Sequence, residues 1–400
     1  MSIELTRPLV VPEYLNSVVK LYAAHPGTHG TFSLPSYTID VQFIVTTMFP
    51  GLKSAANACA LHGKDLFISN SGSTSQCVFK VPNYLEDGGA AMAHAFVFTL
   101  DSNDYVGIAL DPTGRHLYVA AGDPPTNDKP GNNRVLGYEG VDAAYPGPLG
   151  APMNNHGLIV DLGNAGATAA GKTAYFSNLA FDAPGNLWVS DYQNHRVVVF
   201  EAAHLDEPDT SHYHVLENLV GPITVSNTDA GLKEDIEHLF AEPEGLDFDA
   251  AGNLWLANNN DGGAGGVHNT RTSIVKLTPT LQATVLAAPA GAALGNGLRP
   301  TPDQSGIDFL IYQVPNLPNN GIEDAGPPPQ FGGLQVDRAA GRMFVNEEVA
   351  GRGRGYDVDT IADIAANTSS ANDLDILSTN PGNGGIALVD TNADLVVLAV

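Results

Sequence analysis

The chain has 400 residues, enough to bury a large core, and its 18 basic residues face 44 acidic ones for a formal net charge of −26. A surface this negative repels phosphate backbones and anionic head groups, so we expect neither nucleic acid nor a membrane surface as a partner. Small neutral molecules, cations or a protein partner suit the charge better.

The sequence gives no sign of a membrane span or of export. It contains no run of about 18 apolar residues, and its first residues lack the basic and apolar regions of a signal peptide. Cys59 and Cys77 are the only cysteines. We expect Cys59 and Cys77 to lie on two strands of one sheet with another strand between them, which is too far apart for a disulfide. We therefore predict free thiols and a cytoplasmic location.

A unit of strand, turn and strand is repeated along the chain. Each copy is rich in β-branched and aromatic residues and is punctuated by Gly, Asn, Asp and Pro. The first copy is ACALHGKDLFISN, and the third and fourth contain DAPGNLW and DAAGNLW. The copies begin near residues 58, 107, 178, 245, 333 and 385. A third strand follows four of them, as SQCVFKVP, NRVLGYEG, HRVVVFEA and TSIVKLTP.

These copies predict an all-β fold, a six-bladed β-propeller that forms a single domain over residues 1–400. The last copy ends at Val400 after two strands, so we expect the N-terminal segments 16–23 and 38–49 to supply its third and fourth strands. Such closure removes the open edges of the ring. Long connections at 141–177, 203–243 and 291–332 are interpreted as walls of a pocket, with Phe309 to Tyr312 as part of one wall. A surface that docks a partner is the alternative interpretation of these connections.

The repeat resembles the NHL-repeat propellers and, more loosely, the SMP-30/gluconolactonase and strictosidine-synthase-like propellers. The resemblance rests on Gly107 to Asp111, Gly185 to Val189 and Asn194 to Phe200. It implies the propeller architecture and says less about activity, because such folds serve as scaffolds and as enzymes.

The order of strands in a blade separates two kinds of polar residue. The turns between first and second strands lie on one face, so we interpret Asp111, Asp182 and Asp249 as turn formers. The starts of first strands and the ends of second strands lie together on the opposite face, at the mouth of the central tunnel. The polar residues predicted there include Asn57, Asn178, Glu244, Asn383, Asp123 and Asp191.

Carboxylate and amide oxygens in a ring are suitable ligands for a hard cation such as Ca²⁺, although amides in a water-filled tunnel also satisfy backbone groups. The SMP-30 resemblance implies a divalent ion held by Asn178, in FSNLAFD, and by Glu244, in EPEGLDFD. Asn57 lies near the place of that family's first Glu, whose motif is absent here, and the missing Gly after Asn178 shifts this residue by one position. Asn383 completes the predicted metal ligands.

The leading hypothesis is therefore a metal-assisted hydrolase acting on a small neutral lactone or ester at the tunnel mouth. Glu244 is the predicted general base, assisted by Asp123 or Asp191. One alternative is a non-catalytic NHL-type scaffold that binds a protein or a small ligand. Another is a metal-free lyase or condensing enzyme with one buried Glu, which resembles the strictosidine-synthase branch. His212 and His214 have no third ligand at fixed spacing, so we interpret them as loop histidines.

Overall fold

The structure is a computed structural model, and it describes the residues 8–13, 17–23, 37–70, 77–84, 95–100, 105–122, 133–142, 157–166, 174–208, 210–217, 243–258, 273–291, 309–313, 331–338, 341–347, 352–357, 376–377 and 387–388. The predicted site residues Asp123 and Asn383 lie outside these ranges, as does the segment 391–400.

The described part of the chain is almost entirely β-structure. Its strands are β1 (Pro8–Glu13), β2 (Val18–Ala23), β3 (Tyr37–Asp40), β4 (Ala56–His62), β5 (Asp65–Asn70), β6 (Cys77–Val81), β7 (Phe96–Leu100), β8 (Tyr105–Leu110), β9 (Leu117–Ala121), β10 (Arg134–Tyr138), β11 (Leu158–Gly163), β12 (Phe176–Phe181), β13 (Leu187–Asp191), β14 (Arg196–Phe200), β15 (Tyr213–Glu217), β16 (Pro243–Phe248), β17 (Leu254–Asn258), β18 (Ser273–Leu277), β19 (Phe309–Gln313), β20 (Phe331–Asp337), β21 (Arg342–Glu347), β22 (Arg352–Asp357), β23 (Ile376–Leu377) and β24 (Ala387–Leu388). The helices are α1 (Val41–Met48), a 3₁₀ helix (Ala202–His204) and α2 (Pro279–Leu286). Among the described residues, no helix has the length and apolar character needed to cross a membrane.

The strands form four-stranded antiparallel sheets in a propeller arrangement. Four sheets consist of full-length strands in chain order, from β4 to β7, β8 to β11, β12 to β15 and β16 to β19. A fifth sheet contains β20 to β23, and a sixth has the order β24-β1-β2-β3, but β23 and β24 are only two residues long. The first strands contact one another in the order β4, β8, β12, β16, β20.

Hydrophobic cores lie between neighbouring sheets, as expected when flat sheets pack face to face. One core joins the second and third sheets and includes Tyr118 and Phe181, whose rings meet edge to face at 5.4 Å. The next core joins the third and fourth sheets through Trp188 and Phe248, with ring centroids 5.9 Å apart. Trp188 is fully buried, and its burial contributes about 2–3 kcal/mol by the hydrophobic effect.

The repeated sequence DxxGNLW forms the turn between the first and second strands of two sheets. Asp182 Oδ2 accepts hydrogen bonds from Asn186 Nδ2 at 2.8 Å and from Trp188 Nε1 at 3.0 Å. Asp249 makes the same two bonds, to Asn253 at 2.8 Å and to Trp255 at 2.9 Å. Asp111 Oδ1 accepts the backbone N–H of Arg115 at 2.8 Å. The interpretation of these three aspartates as turn formers is confirmed.

The sixth sheet differs from the prediction in two ways. The N-terminal region supplies three of its described strands, because β1 pairs with β24 on one side and with β2 on the other. The segment predicted as the outer strand is a short strand, β3, followed by helix α1. Asp40 starts this helix by accepting the N–H of Phe43 at 2.8 Å. The helix buries Val41, Ile44 and Val45, a spacing that places them on one helical face.

The three long connections each contain a fourth strand. β11 lies within 141–177, β15 within 203–243 and β19 within 291–332. Phe309 to Tyr312 therefore belong to β19, which pairs with β18 at the outside of its sheet. The interpretation of these four residues as part of a pocket wall stays a prediction. The two cysteines lie in β4 and β6 as buried thiols that are not joined by a disulfide.

Candidate active site at the starts of the first strands

A β-bulge lies at the start of each of the first strands β4, β8, β12, β16 and β20. In β16, Pro243 pairs with Asn258 and Leu246 pairs with Leu256, so Glu244 and Gly245 together face Ala257. In β4, Asn57 and Ala58 face Ser69 in the same way. Equivalent register shifts occur in β8, β12 and β20. A bulge changes the direction of a side chain and often lies beside an active site, so these residues form a distinct set.

The bulges show which residues of the different sheets occupy equivalent positions. The first bulge position is occupied by Asn57, Val106, Ser177, Glu244 and Gly332 in the five sheets. Asn178 takes the second position, where the other four sheets have Ala58, Gly107, Gly245 and Gly333. The one-residue shift predicted for Asn178 is thus visible in the strand register.

Asn57 and Glu244 are buried polar residues at equivalent positions. Their relative exposures are 7% and 8%, which leaves each a small accessible surface. Asn178 has no exposed surface, and its Oδ1 accepts the backbone N–H of Leu179 at 2.6 Å. The structure therefore places Asn57 and Glu244 alike and gives Asn178 a local backbone contact.

Serine hydroxyls join the bulges of neighbouring sheets. Ser190 Oγ accepts the N–H of Asn178 at 3.0 Å and donates to the carbonyl oxygen of Glu244 at 2.6 Å. Ser69 Oγ makes the corresponding bonds in the first two sheets, with the N–H of Ala58 and the carbonyl of Val106, both at 2.8 Å. Because these bonds fix the backbone on both sides of each bulge, the polar residues on it are held in place.

Two polar residues at the ends of second strands, Asn70 and Asp191, have structural partners. Asn70 Oδ1 accepts the N–H of Ala55 at 2.8 Å. Asp191 Oδ1 accepts the N–H of Tyr175 at 2.9 Å, and its Oδ2 accepts Arg196 Nε at 2.7 Å and Asn194 Nδ2 at 2.8 Å. Asp191 has no exposed surface. These contacts favour a structural role for the carboxylate that we predicted to assist catalysis.

Asp247 is a buried carboxylate that the sequence interpretation missed. It lies in β16 three residues after Glu244, is 5% exposed, and occupies a place where Ala60, Ala109 and Ala180 stand in other sheets. Its Oδ2 accepts the N–H of Val336 at 2.9 Å in the next sheet. Burial raises the pKa of Asp247, and the nearby Arg338 guanidinium opposes this rise. The replacement of a repeated Ala by Asp was the available signal.

Among the described residues, one set of three carboxylate and histidine groups lies close enough together to hold a metal ion. This set is not at the starts of the first strands. It consists of Glu201, His204 and His212, in the connection between β14 and β15. Glu244 belongs to no such set within the described ranges. A cation at the tunnel mouth would depend on amide oxygens and on residues outside those ranges.

Comparisons with known proteins found distant structural matches. No family model and no curated protein sequence matches the chain. Among solved structures, virginiamycin B lyase from Staphylococcus aureus is 10% identical with a TM-score of 0.42, over 100% of this chain and 93% of that one. A Bacteroides caccae protein of unknown function is 10% identical with a TM-score of 0.44, over 92% and 94%. The nidogen/laminin complex is 13% identical with a TM-score of 0.36, over 74% of each chain.

At such TM-scores and identities the comparisons carry no argument about this chain, and the propeller arrangement rests on the sheets described above. The resemblance to NHL-repeat and SMP-30 propellers has no match at the level of a family, and it stays a prediction.

Proposed function

We propose that the protein is a six-bladed propeller enzyme that hydrolyses a small neutral lactone or ester at its tunnel mouth. In this proposal the fifth and sixth sheets complete the ring begun by the four full sheets. Two observations support closure: β20 contacts β24, and β1 contacts β4. The first and fourth blades of such a ring face each other across the tunnel, so Asn57 and Glu244 would approach the same central space from opposite sides.

The observation that carries the proposal is the buried carboxylate of Glu244 on a bulge whose counterparts are Asn57, Val106, Ser177 and Gly332. A carboxylate that is only 8% exposed loses much of its hydration, which costs free energy unless donors or a cation compensate for it. Such a group is a good proton acceptor when a substrate replaces the remaining water. We assign it the role of general base.

The hydrolysis needs one proton to be moved twice. Glu244 accepts a proton from a water molecule as the water oxygen adds to the ester or lactone carbonyl carbon. The tetrahedral intermediate then breaks its bond to the leaving oxygen, and Glu244 returns the proton to that oxygen. The products are an acid and an alcohol, joined in one molecule when the substrate is a lactone. Asn57 would orient the substrate through its amide.

The donor atoms fit a hard divalent cation such as Ca²⁺, which would polarise the substrate carbonyl. Glu244 and Asn57 would provide oxygen ligands, and Asn383 would add another from outside the described residues. Asn178 would first have to release the N–H of Leu179, which its Oδ1 accepts at 2.6 Å. We therefore rank Asn178 as the weakest of the four proposed metal ligands, Glu244, Asn57, Asn383 and Asn178.

The test is the metal content of protein purified without chelator or metal-affinity resin. We expect about one equivalent of calcium in the wild type, none in Glu244→Gln, and an unchanged amount in Glu201→Gln, the matched control on another connection. A panel of lactones and esters is then assayed with the same three proteins. Calcium that is absent from the wild type, or equally present in Glu244→Gln, contradicts the cation site.

A metal-free lyase is the second candidate, and Asp247 is the observation that favours it. Its pKa is raised by burial, which makes it suitable as a proton donor, and Glu244 lies on the same strand as a possible acceptor. Activity that survives EDTA but is lost in both Glu244→Gln and Asp247→Asn would support this candidate. A folded protein without activity on any substrate, together with retained binding of a protein or ligand, would support the scaffold alternative.

A further inference from the structure

The connection between β14 and β15 brings together side chains that suit a transition metal. Its members are Glu201, His204, Glu207, His212 and His214. The connection lies on the face of the DxxGNLW turns, because the N–H of Ala202 donates to Asn186 Oδ1 at 2.9 Å. The cluster is thus on the opposite face from the starts of the first strands.

The local fold explains why residues distant in sequence meet here. The N–H of Glu201 donates to the carbonyl of His212 at 3.2 Å, which extends the β14–β15 hairpin beyond its last paired strand residues. The 3₁₀ helix then folds His204 back, with its N–H donating to the carbonyl of Glu201 at 3.0 Å. As a result the imidazole rings of His204 and His212 stack, with centroids 3.6 Å apart and planes at 8°.

The ligand atoms of Glu201, His204 and His212 all lie within 4.8 Å of one another. The side chains are 31%, 26% and 43% exposed, so an ion can reach them from solvent. His204 Nδ1 is 3.0 Å from Glu207 Oε2, within ion-pair range, so a second carboxylate stands beside this ring nitrogen.

We propose that Glu201, His204 and His212 bind a first-row transition-metal ion, with Zn²⁺ as the preferred one. Imidazole nitrogen and carboxylate oxygen are its usual ligands, and three protein ligands leave a fourth place for water. With bond lengths of about 2.0–2.1 Å, ligands of a tetrahedral ion stand roughly 3.3 Å apart. Ligand atoms that are now within 4.8 Å of one another therefore have to move closer by up to about 1.5 Å.

The stacked rings must separate for this contraction to occur. A metal lies in the plane of each imidazole that binds it, and two parallel rings cannot both point their nitrogens at one ion between them. His212 is the more exposed of the two, so it is the ring that turns. Binding of the ion would thereby tie the start of the connection to its end.

His214 is a positioning residue for this site. It is 1% exposed, and its Nε2 donates to Glu201 Oε1 at 3.0 Å. A carboxylate held by a neighbouring donor presents its remaining lone pairs in a fixed direction, as outer partners of metal ligands commonly do. Glu207, beside His204, is the available fourth protein ligand if the ion excludes water.

The proposal is tested by titrating tag-free protein with ZnCl₂ and, in parallel, with CoCl₂. We expect one equivalent of Zn²⁺ to bind, and bound Co²⁺ to show the visible absorption of a tetrahedral site. Affinity should fall by about tenfold or more in His204→Ala and Glu201→Gln, and by about 10–100-fold in His214→Ala, as for other outer-partner changes. His116→Ala, a histidine on the same face, and Glu244→Gln are the matched controls and should bind as the wild type does.

The outcomes separate this site from the proposed calcium site. Loss of zinc in Glu201→Gln with calcium unchanged supports it, whether or not the hydrolase proposal holds. Zinc binding that is equal in the wild type, His204→Ala and Glu201→Gln overturns it, as does the absence of binding in the wild type. If His204→Ala does not fold, His212→Asn provides the same comparison, since His212 lies nearer the surface.

Discussion

The buried Asp191–Arg196 ion pair tests whether Asp191, which we predicted to assist catalysis, has a structural role instead. Asp191 has no exposed side-chain surface and Arg196 has 4%, and Arg196 Nε donates to Asp191 Oδ2 at 2.7 Å. Removing one partner of a buried ion pair leaves the other charge without compensation, which costs about 3–5 kcal/mol. We therefore expect Arg196→Met to lower the free energy of unfolding by that amount.

Asp191→Leu should have a similar cost, because the guanidinium retains only backbone carbonyls, the nearest being that of Gly166 at 3.2 Å. The double variant should lose much less than the sum. Its remaining defects are the N–H of Tyr175 and the Nδ2 group of Asn194, which both lose Asp191 as acceptor. Each lost acceptor costs about 1–3 kcal/mol when the donor is buried. The structure thus predicts an interaction energy of about 3 kcal/mol or more between the two sites.

The assay is urea unfolding of the wild type, the two single variants and the double variant, followed by the fluorescence of the buried Trp188 and Trp255. Activity per folded molecule is measured for Asp191→Asn once a substrate is found, and we expect it to stay near the wild-type level. Single variants within about 1 kcal/mol of the wild type, or additive losses, would refute the reasoning. A stable Asp191→Asn protein without activity would restore Asp191 as a catalytic residue.

Three further predictions follow from named contacts. Asp182→Ala should lower the free energy of unfolding by about 3–5 kcal/mol because Trp188 Nε1 and Asn186 Nδ2 lose their buried acceptor, whereas Asp111→Ala, in a turn without tryptophan, should cost about 1–2 kcal/mol in the same urea assay. Gly107→Ala should cost about 1–3 kcal/mol, since its Cβ would lie 2.6 Å from the carbonyl oxygen of Ser177; normal stability would contradict this close approach. The pKa of Asp247 is raised in the folded protein, so the wild type loses stability as pH increases from about 4 through that raised pKa. The stability of Asp247→Asn relative to the wild type should therefore increase from pH 4 to pH 7. A difference that does not depend on pH would show that the pKa is not raised.

The repeat made most of the sheets predictable. DxxGNLW specifies a turn through one carboxylate and an indole, and its spacing located the first and second strands around it. The predicted third strands correspond to β6, β10, β14 and β18. The outer strands β11, β15 and β19 were hidden in long connections because they have no repeated turn beside them.

The two errors at the N-terminus have different physical causes. β1 contains Pro8 and Pro12, and proline argues against a strand since it cannot donate a ladder hydrogen bond. In the described residues, β24 pairs with β1 only at Leu9 and Val10, so neither proline faces that partner. The segment of α1 is rich in β-branched residues that favour strands, but packing of one helical face determines its structure.

The candidate site was less predictable than the fold because ligand positions depend on register. Asn178 and Glu244 look equivalent in sequence, yet the bulges place them one position apart. Of the predicted ligands among the described residues, only Asn57 shares the position of Glu244. The histidine cluster shows the same limit. His212 and His214 were visible as a pair, but the ligands that stand beside His212 are Glu201 and His204, eleven and eight residues earlier in the chain. They meet because the hairpin pairs Glu201 with His212. The number of residues between them depends on the length of the connection, and no metal-binding sequence motif specifies that number. A search of sequences for pairs of histidines would therefore miss this site, whereas a search for polar residues at paired positions of a hairpin, followed by a short helical turn, would find it.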